Sequence, residues 1–484
     1  MKKRKWSIAL VALALLLAAC GDGGDDTTTT AGGGDEPTTT AGGGDGSTTT
    51  PEAGGTPGET PYENLNAAMA GDYEGTTVEI VAQWAPDGAE ATSFDLALQP
   101  FRDATGIDVV FEPTVEYETA LQVRVDGGNA PDLAQIAQPG KMQQYADAGS
   151  LVNLSEWFNV EQLEQDLVGG FVDLGSHNGD LFGVYYKTDV KSIVWYPIQA
   201  FADNGYEPPT SWDEMLALSD QIVADGNGSP WCISIESDAA DGWVATDWME
   251  DILLRTAPPE IYTQWYNHEI PFNHPEVLEA AEYMHQIWFT DGYAYGGNTY
   301  INATHITSTQ DPMFDPAGPQ CWMQKQAAWI PGFWGENKDF TDPAEWPNKP
   351  GDDVAFFYFP MIEEEFGSPV LGAADMFVMF NDRPEVRALL EYLATTDSSA
   401  AWIERGGFVA ANKNVPLDSY TTYPETDLSA MVANATTFGF DASDLMPADV
   451  GAGTFWSGMV EWVAANGEGT EEIFQSIEDS WPAG

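Results

Sequence analysis

Apolar residues fall into three regimes along the chain. Trp6 to Ala19 is an uncharged, mostly apolar run behind Lys2, Lys3, Arg4 and Lys5. Gly21 to about Thr60 holds almost none, being Gly, Thr, Asp and Pro. Periodic patterns begin at Thr77. Thr77 to Ala82 reads as a short strand, and Phe94, Leu98 and Phe101 then recur at the spacing of a helix face. Gly106 ends that helix, and Ile107, Val109 and Phe111 alternate as a second strand. Strand, helix and strand within about 35 residues make a βαβ unit, which implies a parallel pair. Ala130-Pro131-Asp132 leads into a third strand around Leu133 to Ala137, and a helix from about Gly140 ends at Gly149.

The later pattern is of the same kind. Gly179 to Tyr186 and Ser192 to Trp195 read as extended. Ser211-Trp212-Asp213-Glu214 is a capping box, in which the Ser211 hydroxyl serves a helix amide and Glu214 reaches back. That helix runs to Gly226. Asn273 and Pro275 precede Val277, Ala281, Met284 and Trp288, a second capped helix that stops near Gly292. Pro384 opens a helix carrying Val386, Leu390 and Leu393, and two last helices cover about Trp456 to Asn466 and Glu471 to Trp481. Strands and helices in alternation predict an α/β chain.

The first apolar run is shorter than the roughly 20 residues that a membrane-spanning helix needs. With its basic start and small residues at the end it predicts a cleaved signal peptide over 1–19. The cut leaves Cys20 first, and Leu17-Ala18-Ala19-Cys20 resembles a bacterial lipobox, whose cysteine carries a diacylglycerol. The alternative is an ordinary signal with an incidental cysteine. Residues 20–72 are then a lipid-anchored tether. Thr-Thr-Thr-Ala-Gly-Gly-Gly-Asp stands at Thr28 to Asp35 and again at Thr38 to Asp45. Such a stretch has nothing to bury and is expected to stay disordered, with an r.m.s. span of roughly 40 Å.

Composition narrows the functions. There are 17 Lys and Arg against 77 Asp and Glu, a formal charge of −60, and four of the 17 lie before the cut. That argues against nucleic acid, whose phosphates are neutralised by Lys and Arg, and against polyanionic substrates or anionic lipid heads. An acidic, solvated surface is the plain reading. Roughly 410 residues follow the tether, too many for one core and suited to two lobes. Cys232 and Cys321 remain as an even pair in an oxidising compartment, which predicts a disulfide; two reduced, buried cysteines are the alternative. The bridge would close a loop of about 89 residues and add about 4–5 kcal/mol on a chain-entropy model.

A further set of stretches resembles one family in order along 76–484. They are "FRDATGIDVVFEP", "APDLAQIAQPGKMQQYADAGSLVNL", "GDLFGVYYKTDVKSIVWYP", "SWDEMLAL", "WIPGFW", "FYFPMI" with "VLGAADMFVMF", and "MPADVGAGTFWSGMVEWVAANG". The chain resembles an extracellular solute-binding protein of an ABC sugar importer, of the maltodextrin-binding kind. "GWVATDWMEDILLRTA" and "GAADMFVMFNDRPEVRA", with the cysteine pair, are most similar to α-glucoside-binding proteins. The resemblance implies a two-lobed, type II periplasmic-binding-protein-like clamp. Each lobe would be an open, mainly parallel sheet flanked by helices. Lobe one would take 76–188 and 361–412, and lobe two 189–360 and 413–484, with hinge crossings near Lys187 to Val194 and Phe356 to Pro360. It also implies a sugar as ligand and ABC permease subunits as partners. The chain would be a monomer that meets the membrane only through the lipid on Cys20.

A sugar offers a rim of hydroxyls and two C–H faces, so its site needs flat aromatics and fixed carboxylates or amides. Trp84 and Asp87 follow the first strand and Gln138 the third, where open parallel sheets bind ligands. Trp243 and Asp247 lie in the family's second-lobe platform segment, although an N-cap is the ordinary role for Asp247. One of Phe333 and Trp334 faces the cleft. Asp375 is a carboxylate in an apolar run, and Trp456 matches the family's C-terminal aromatic. Maltodextrin binders carry charged residues after the first and third strands, where this chain has Ala85-Pro86-Asp87 and Gln138-Pro139-Gly140-Lys141. That favours a short α-glucoside, such as maltose or trehalose, over a long maltodextrin.

An enzyme is the rival class, since acids are plentiful and a glycosidase needs two of them about 5–10 Å apart. Nucleophile-elbow, P-loop, dinucleotide and zinc-protease motifs are all absent, as His268-Glu269 continues with Ile270. The five histidines show no metal-type pairing, and no EF-hand spacing occurs. The sequence therefore predicts a binding protein without cofactor or metal. Binding of a peptide or an ion is a third reading.

Overall fold

A computed structural model describes residues 60–114 and 117–482. The expected signal peptide, Cys20 and the expected tether as far as residue 59 lie outside the described residues. The expected end of the tether at 72 is too late. Glu63–Met69 is a helix, and Tyr62, Leu65 and Ala68 are buried on its inner side. Tyr62 donates to Asp166 at 3.0 Å, and the Leu65 amide donates to Glu391 at 2.6 Å. Three apolar side chains on one short face suffice to dock this turn onto the helix Pro384–Leu393.

The strands used below are β1 (Thr77–Ala82), β2 (Asp108–Pro113), β3 (Leu133–Ile136), β4 (Gly183–Val190), β5 (Ile193–Pro197), β6 (Ser229–Trp231), β7 (Cys321–Lys325), β8 (Val354–Tyr358), β9 (Val370–Met379), β10 (Val409–Ala410) and β11 (Phe438–Phe440). The largest sheet runs β10-β4-β9-β3-β1-β2, with β11 also pairing β9; a second runs β8-β5-β7-β6, and Ser176–His177 pairs Asp180–Leu181 in a small hairpin. The βαβ reading holds: β1 pairs β2 in parallel, Thr77 against Asp108, across the helix Ala89–Thr105. The Ser211 cap is present, accepting from the Glu214 amide at 3.3 Å, while Glu214 reaches back to the Thr210 amide at 2.8 Å.

The sheets are mixed rather than mainly parallel. In the first, β1, β2 and β3 are parallel, but β9 runs antiparallel to both β3 and β4. In the second only β6 and β7 are parallel. The physical reason is that β4 and β9 are long strands by which the chain leaves the first sheet and returns to it, so they oppose each other. Every residue of both is buried; β9 is apolar apart from Asp375, whereas β4 buries Lys187, Thr188 and Asp189 as well.

Each sheet has its own core. Ile80, Phe94, Leu133, Phe377 and Trp402 belong to the first, and Trp231, Trp248, Met323, Phe359 and Trp462 to the second. The chain crosses between them at β4 to β5, at β8 to β9, and again after β11. This third crossing corrects the expected division, which placed all of 413–484 with the second lobe: β11 pairs β9 of the first sheet, and only the segment after it joins the second core. Cys232 and Cys321 form the predicted disulfide, with Cα atoms 5.3 Å apart, buried beside Met313.

Candidate functional site

A cavity of about 250 Å³ lies between the two cores. The first sheet presents strand ends and strand faces to it. Gln83 and Trp84 stand beyond β1, and Ala137 and Gln138 beyond β3. Lys187 and Asp189 of β4 and Lys191 beyond it recur at every second position and so share one side. Asp375 lies opposite Lys187 in β9, where the register shifts between Asp375 and Met376. A shift of this kind re-aims a side chain, and the carboxylate lines the cavity. The second half contributes Ser237, Trp243, Thr307, Trp329 and Phe333, and the third crossing adds Asp441, Ser443 and Asp444. Trp456 completes the wall. Gly242 has φ 103°, and a Cβ there would meet the Trp456 carbonyl, so the platform beside Trp456 needs a glycine before Trp243.

Charge in the cleft is organised around two lysines. Lys187 Nζ lies 2.7 Å from Asp189 Oδ1 and 3.3 Å from Glu90 Oε1. Lys191 Nζ lies 2.8 Å from Asp247 Oδ1 and 2.5 Å from Asp441 Oδ2, with the Trp243 ring centroid 5.4 Å away. Burial works against the Lys191 ammonium, but Asp247 and Asp441 outweigh it and hold its pKa well above the usual range. Asp441 behaves oppositely to its neighbours. Burial would raise it, yet the Lys191 charge and hydrogen bonds bring it down to about 2. Burial pushes Asp375 up to about 7 against the pull of Lys187, and it raises Asp444 and Glu90 as well. Gln135 donates to Asp375 Oδ1 at 2.6 Å and fixes that carboxylate from behind.

The helix Trp243–Thr256 ties these groups to the crossings. Its Asp247 holds Lys191, and its Asp251 accepts from Ser192 Oγ at 2.7 Å, both on the first crossing. Its Arg255 donates to the carbonyls of Phe359, Pro360 and Pro369 on the second. Its Glu250 accepts from the Ala442 and Ser443 amides, at 2.9 and 3.0 Å, on the third. Asp247, Glu250 and Asp441 could together hold a cation by geometry, but Lys191 and backbone amides already occupy their oxygens.

Most of the residues singled out from sequence come together here. Gln138, Trp243, Phe333, Asp375 and Trp456 line the cavity. Trp84 lines it too, but is only 4% exposed and packs against Phe94 and Trp402 at 4.8 and 5.1 Å, so it is chiefly a core residue. Asp247 does not reach the cavity wall as expected, because Lys191 engages it. Trp334 is wholly buried against Trp195 at 4.9 Å, which leaves Phe333 as the member of that pair on the cleft. Asp87, at φ 62°, lines a separate cavity that shares Ala85, Glu90, Thr307, Trp329 and Phe333 with this one. Sequence reasoning missed Glu90, Lys187, Asp189, Lys191, Trp329, Asp441 and Asp444. The alternation Lys187, Asp189, Lys191 in a buried strand, within a chain so poor in lysine, was the available signal.

Residues 97–427 match the model of the bacterial extracellular solute-binding proteins. The chain belongs to that family. This solute-binding protein is 40% identical over 396 residues to the osmoprotective compounds-binding protein GgtB of Synechocystis sp., covering 82% of this chain and 90% of the relative. It is 35% identical over 418 residues to the alpha-glucosides-binding periplasmic protein AglE of Rhizobium meliloti, covering 85% and 88%. Its fold matches the solved structure of the bacterial solute receptor AcbH with TM-score 0.71 at 17% identity, over 84% of this chain and 98% of that one. A chitin oligosaccharide binding protein matches with TM-score 0.68 at 18% identity, over 84% and 97%. The two-lobed clamp architecture is that of these solute-binding proteins. Among the described residues no helix is long and apolar enough to cross a membrane.

Proposed function

We propose that the protein captures a sugar, a short α-glucoside, in the cleft between its lobes and delivers it to the permease of an ABC importer. The observation that carries this reading is the pairing of aromatic faces with buried carboxylates around one cavity. Trp243, Trp329, Phe333 and Trp456 supply surfaces for C–H faces, and Asp375 and Asp444 supply oxygens for hydroxyls. Burial raises Asp375 to about 7, so at neutral pH it is available both in its protonated form, which donates as well as accepts, and in its ionised form, which only accepts. AglE, whose name specifies alpha-glucosides, supports the substrate class. The lobes rock about the crossings, and the ligand favours the closed form by touching both. The protein binds its solute without converting it. It acts as a monomer held outside the cell by lipid on Cys20.

GgtB, named for osmoprotective compounds, favours a second reading in which the solute is a small neutral osmolyte. A thermal-shift screen against α-glucosides, other sugars and osmolytes separates the two. A micromolar ligand present at millimolar concentration adds about 4 kcal/mol to native-state stability. Stabilisation by one α-glucoside and not by its close relatives supports the first reading. Stabilisation only by a non-sugar osmolyte replaces it with the second.

A further inference from the structure

Arg405 reaches from one lobe to the other away from the three crossings. It ends the helix Ala400–Arg405, which packs on the helix Ala89–Thr105 in the first lobe. Its Nε donates to Ser93 Oγ of that second helix at 3.0 Å, and Ser93 is wholly buried. The far end of the guanidinium meets the other lobe. There Nη2 donates to the Thr341 carbonyl, and Nη1 lies 3.8 Å from Asp342 Oδ2. Among the described residues no other side-chain hydrogen bond or ion pair links the lobes outside the crossing segments. Asp238–Ala240 also comes close to Tyr117–Asp126, yet no side-chain hydrogen bond joins those two elements.

The receiving segment is held in place from its own lobe. Asn337 is wholly buried. It donates to the Pro331 and Asn348 carbonyls at 2.8 and 2.6 Å, and it accepts from the Asn348 amide at 2.9 Å. These bonds clip together the two ends of 337–348, between which Thr341 and Asp342 stand. Asp342 Oδ1 accepts from the Ala344 amide at 2.9 Å, which shapes that turn. Just before the clip, Gln310 donates to the Phe333 carbonyl at 2.6 Å, and Trp334 packs on Trp195 of β5. An arginine suits the gap between such a segment and the first lobe. Its donors point in fixed directions, so one guanidinium serves an anchor on its own side and an acceptor on the other. With Nε and Nη2 bonded and Nη1 turned to Asp342, little of it is left for a solute.

Resting on the closing clamp proposed above, we infer that Arg405 is a latch that holds the clipped segment 337–348 against the first lobe and so sets how much of the protein is closed. Parting of the lobes must break the bond to Thr341, because its two ends belong to different cores. The bond to Ser93 stays within one lobe and survives. A solute that is fully held only in the closed form has its apparent affinity scaled by the closed fraction. Arg405 therefore acts on affinity as a positioning residue, through the lobes and not by touching the solute.

The test measures lobe separation and binding in the same two variants. Arg405→Met removes the latch from the first lobe. Asn337→Ala unclips the receiving segment from the second, and Asn337 lines neither cavity. Spin labels on Ala104→Cys and Ala217→Cys, exposed positions on the helices Ala89–Thr105 and Trp212–Asp225, report the distance between lobes in protein that carries Cys20→Ser. By pulsed electron paramagnetic resonance without sugar, both variants should shift towards longer distances than the wild type. In titration calorimetry with maltose and trehalose, each sugar that the wild type binds should be weakened about tenfold, and by the same factor. Distances that stay unchanged in the variants, with circular dichroism showing them folded, overturn the inference. A loss of affinity for one sugar at unchanged distances also overturns it and makes Arg405 a solute contact. If neither sugar binds the wild type, the sugar reading falls, and the distances measured without sugar decide the latch by themselves.

Discussion

Lys191 Nζ lies 2.8 Å from Asp247 Oδ1, and this contact joins the first crossing to the helix Trp243–Thr256. The same helix holds the second crossing through Arg255 and the third through Glu250. Its first residue, Trp243, stands on the cleft wall. One helix thus connects the cleft wall to all three places where the chain passes between lobes.

Lys191→Met leaves Asp247 and Asp441 buried without their cation. Removing one partner of a buried ion pair costs about 3–5 kcal/mol. Urea denaturation should show a loss of that order. A loss below about 1 kcal/mol would mean that the carboxylates find other partners or protonate freely.

Stability should fall as pH rises across the neutral range. Burial raises Asp375 and Asp247 to about 7, so between their unfolded values near 4 and about 7 the folded state holds protons that the unfolded state has released. The stability this represents is fully present below about pH 4 and is lost as pH rises through about 7. Asp441, depressed to about 2, acts in the other sense and loses its contribution only in acid, between about pH 4 and 2. Asp375→Asn should therefore shrink the drop in melting temperature between about pH 5 and 8. An unchanged drop would show that Asp375 does not take part.

A truncated chain beginning at Tyr73 loses Tyr62, Leu65 and Ala68 and strips Glu391 of its bond to the Leu65 amide. Each large apolar side chain is worth about 1.5–3 kcal/mol of burial. Its melting temperature should lie several degrees below that of a chain beginning at Thr60. Equal melting temperatures would show that this turn adds nothing.

Trp84→Ala should act mainly on stability, at about 3–5 kcal/mol, because the indole fills space between Phe94 and Trp402. Chemical denaturation measures it. Full stability with lost ligand binding would return Trp84 to the binding surface.

These residues also show what a sequence can and cannot disclose. The β1–helix–β2 unit was legible because Phe94, Leu98 and Phe101 change the period between two alternating runs. Asp375 stood out as a lone charge in an apolar strand, and its place on the cleft follows from that. Lys191 and Asp441 are 250 positions apart, and no local pattern links them. Trp84 and Trp334 have the surroundings of platform residues in sequence, but packing from distant elements decides how far each is covered. The turn at Glu63–Met69 was read as tether because it is too short for a helical period to register, and its partner Glu391 lies 326 positions on.

The most direct test is titration calorimetry of the wild type and of Trp243→Ala against maltose, trehalose and related α-glucosides. Trp243 is half-buried on the cleft wall and stands above the Lys191 contact. The expected result is saturable binding of one α-glucoside by the wild type. In Trp243→Ala the affinity should fall about tenfold or more at nearly unchanged melting temperature. If the variant binds as tightly as the wild type, or no α-glucoside binds either protein, the cleft is not a sugar site of the kind described.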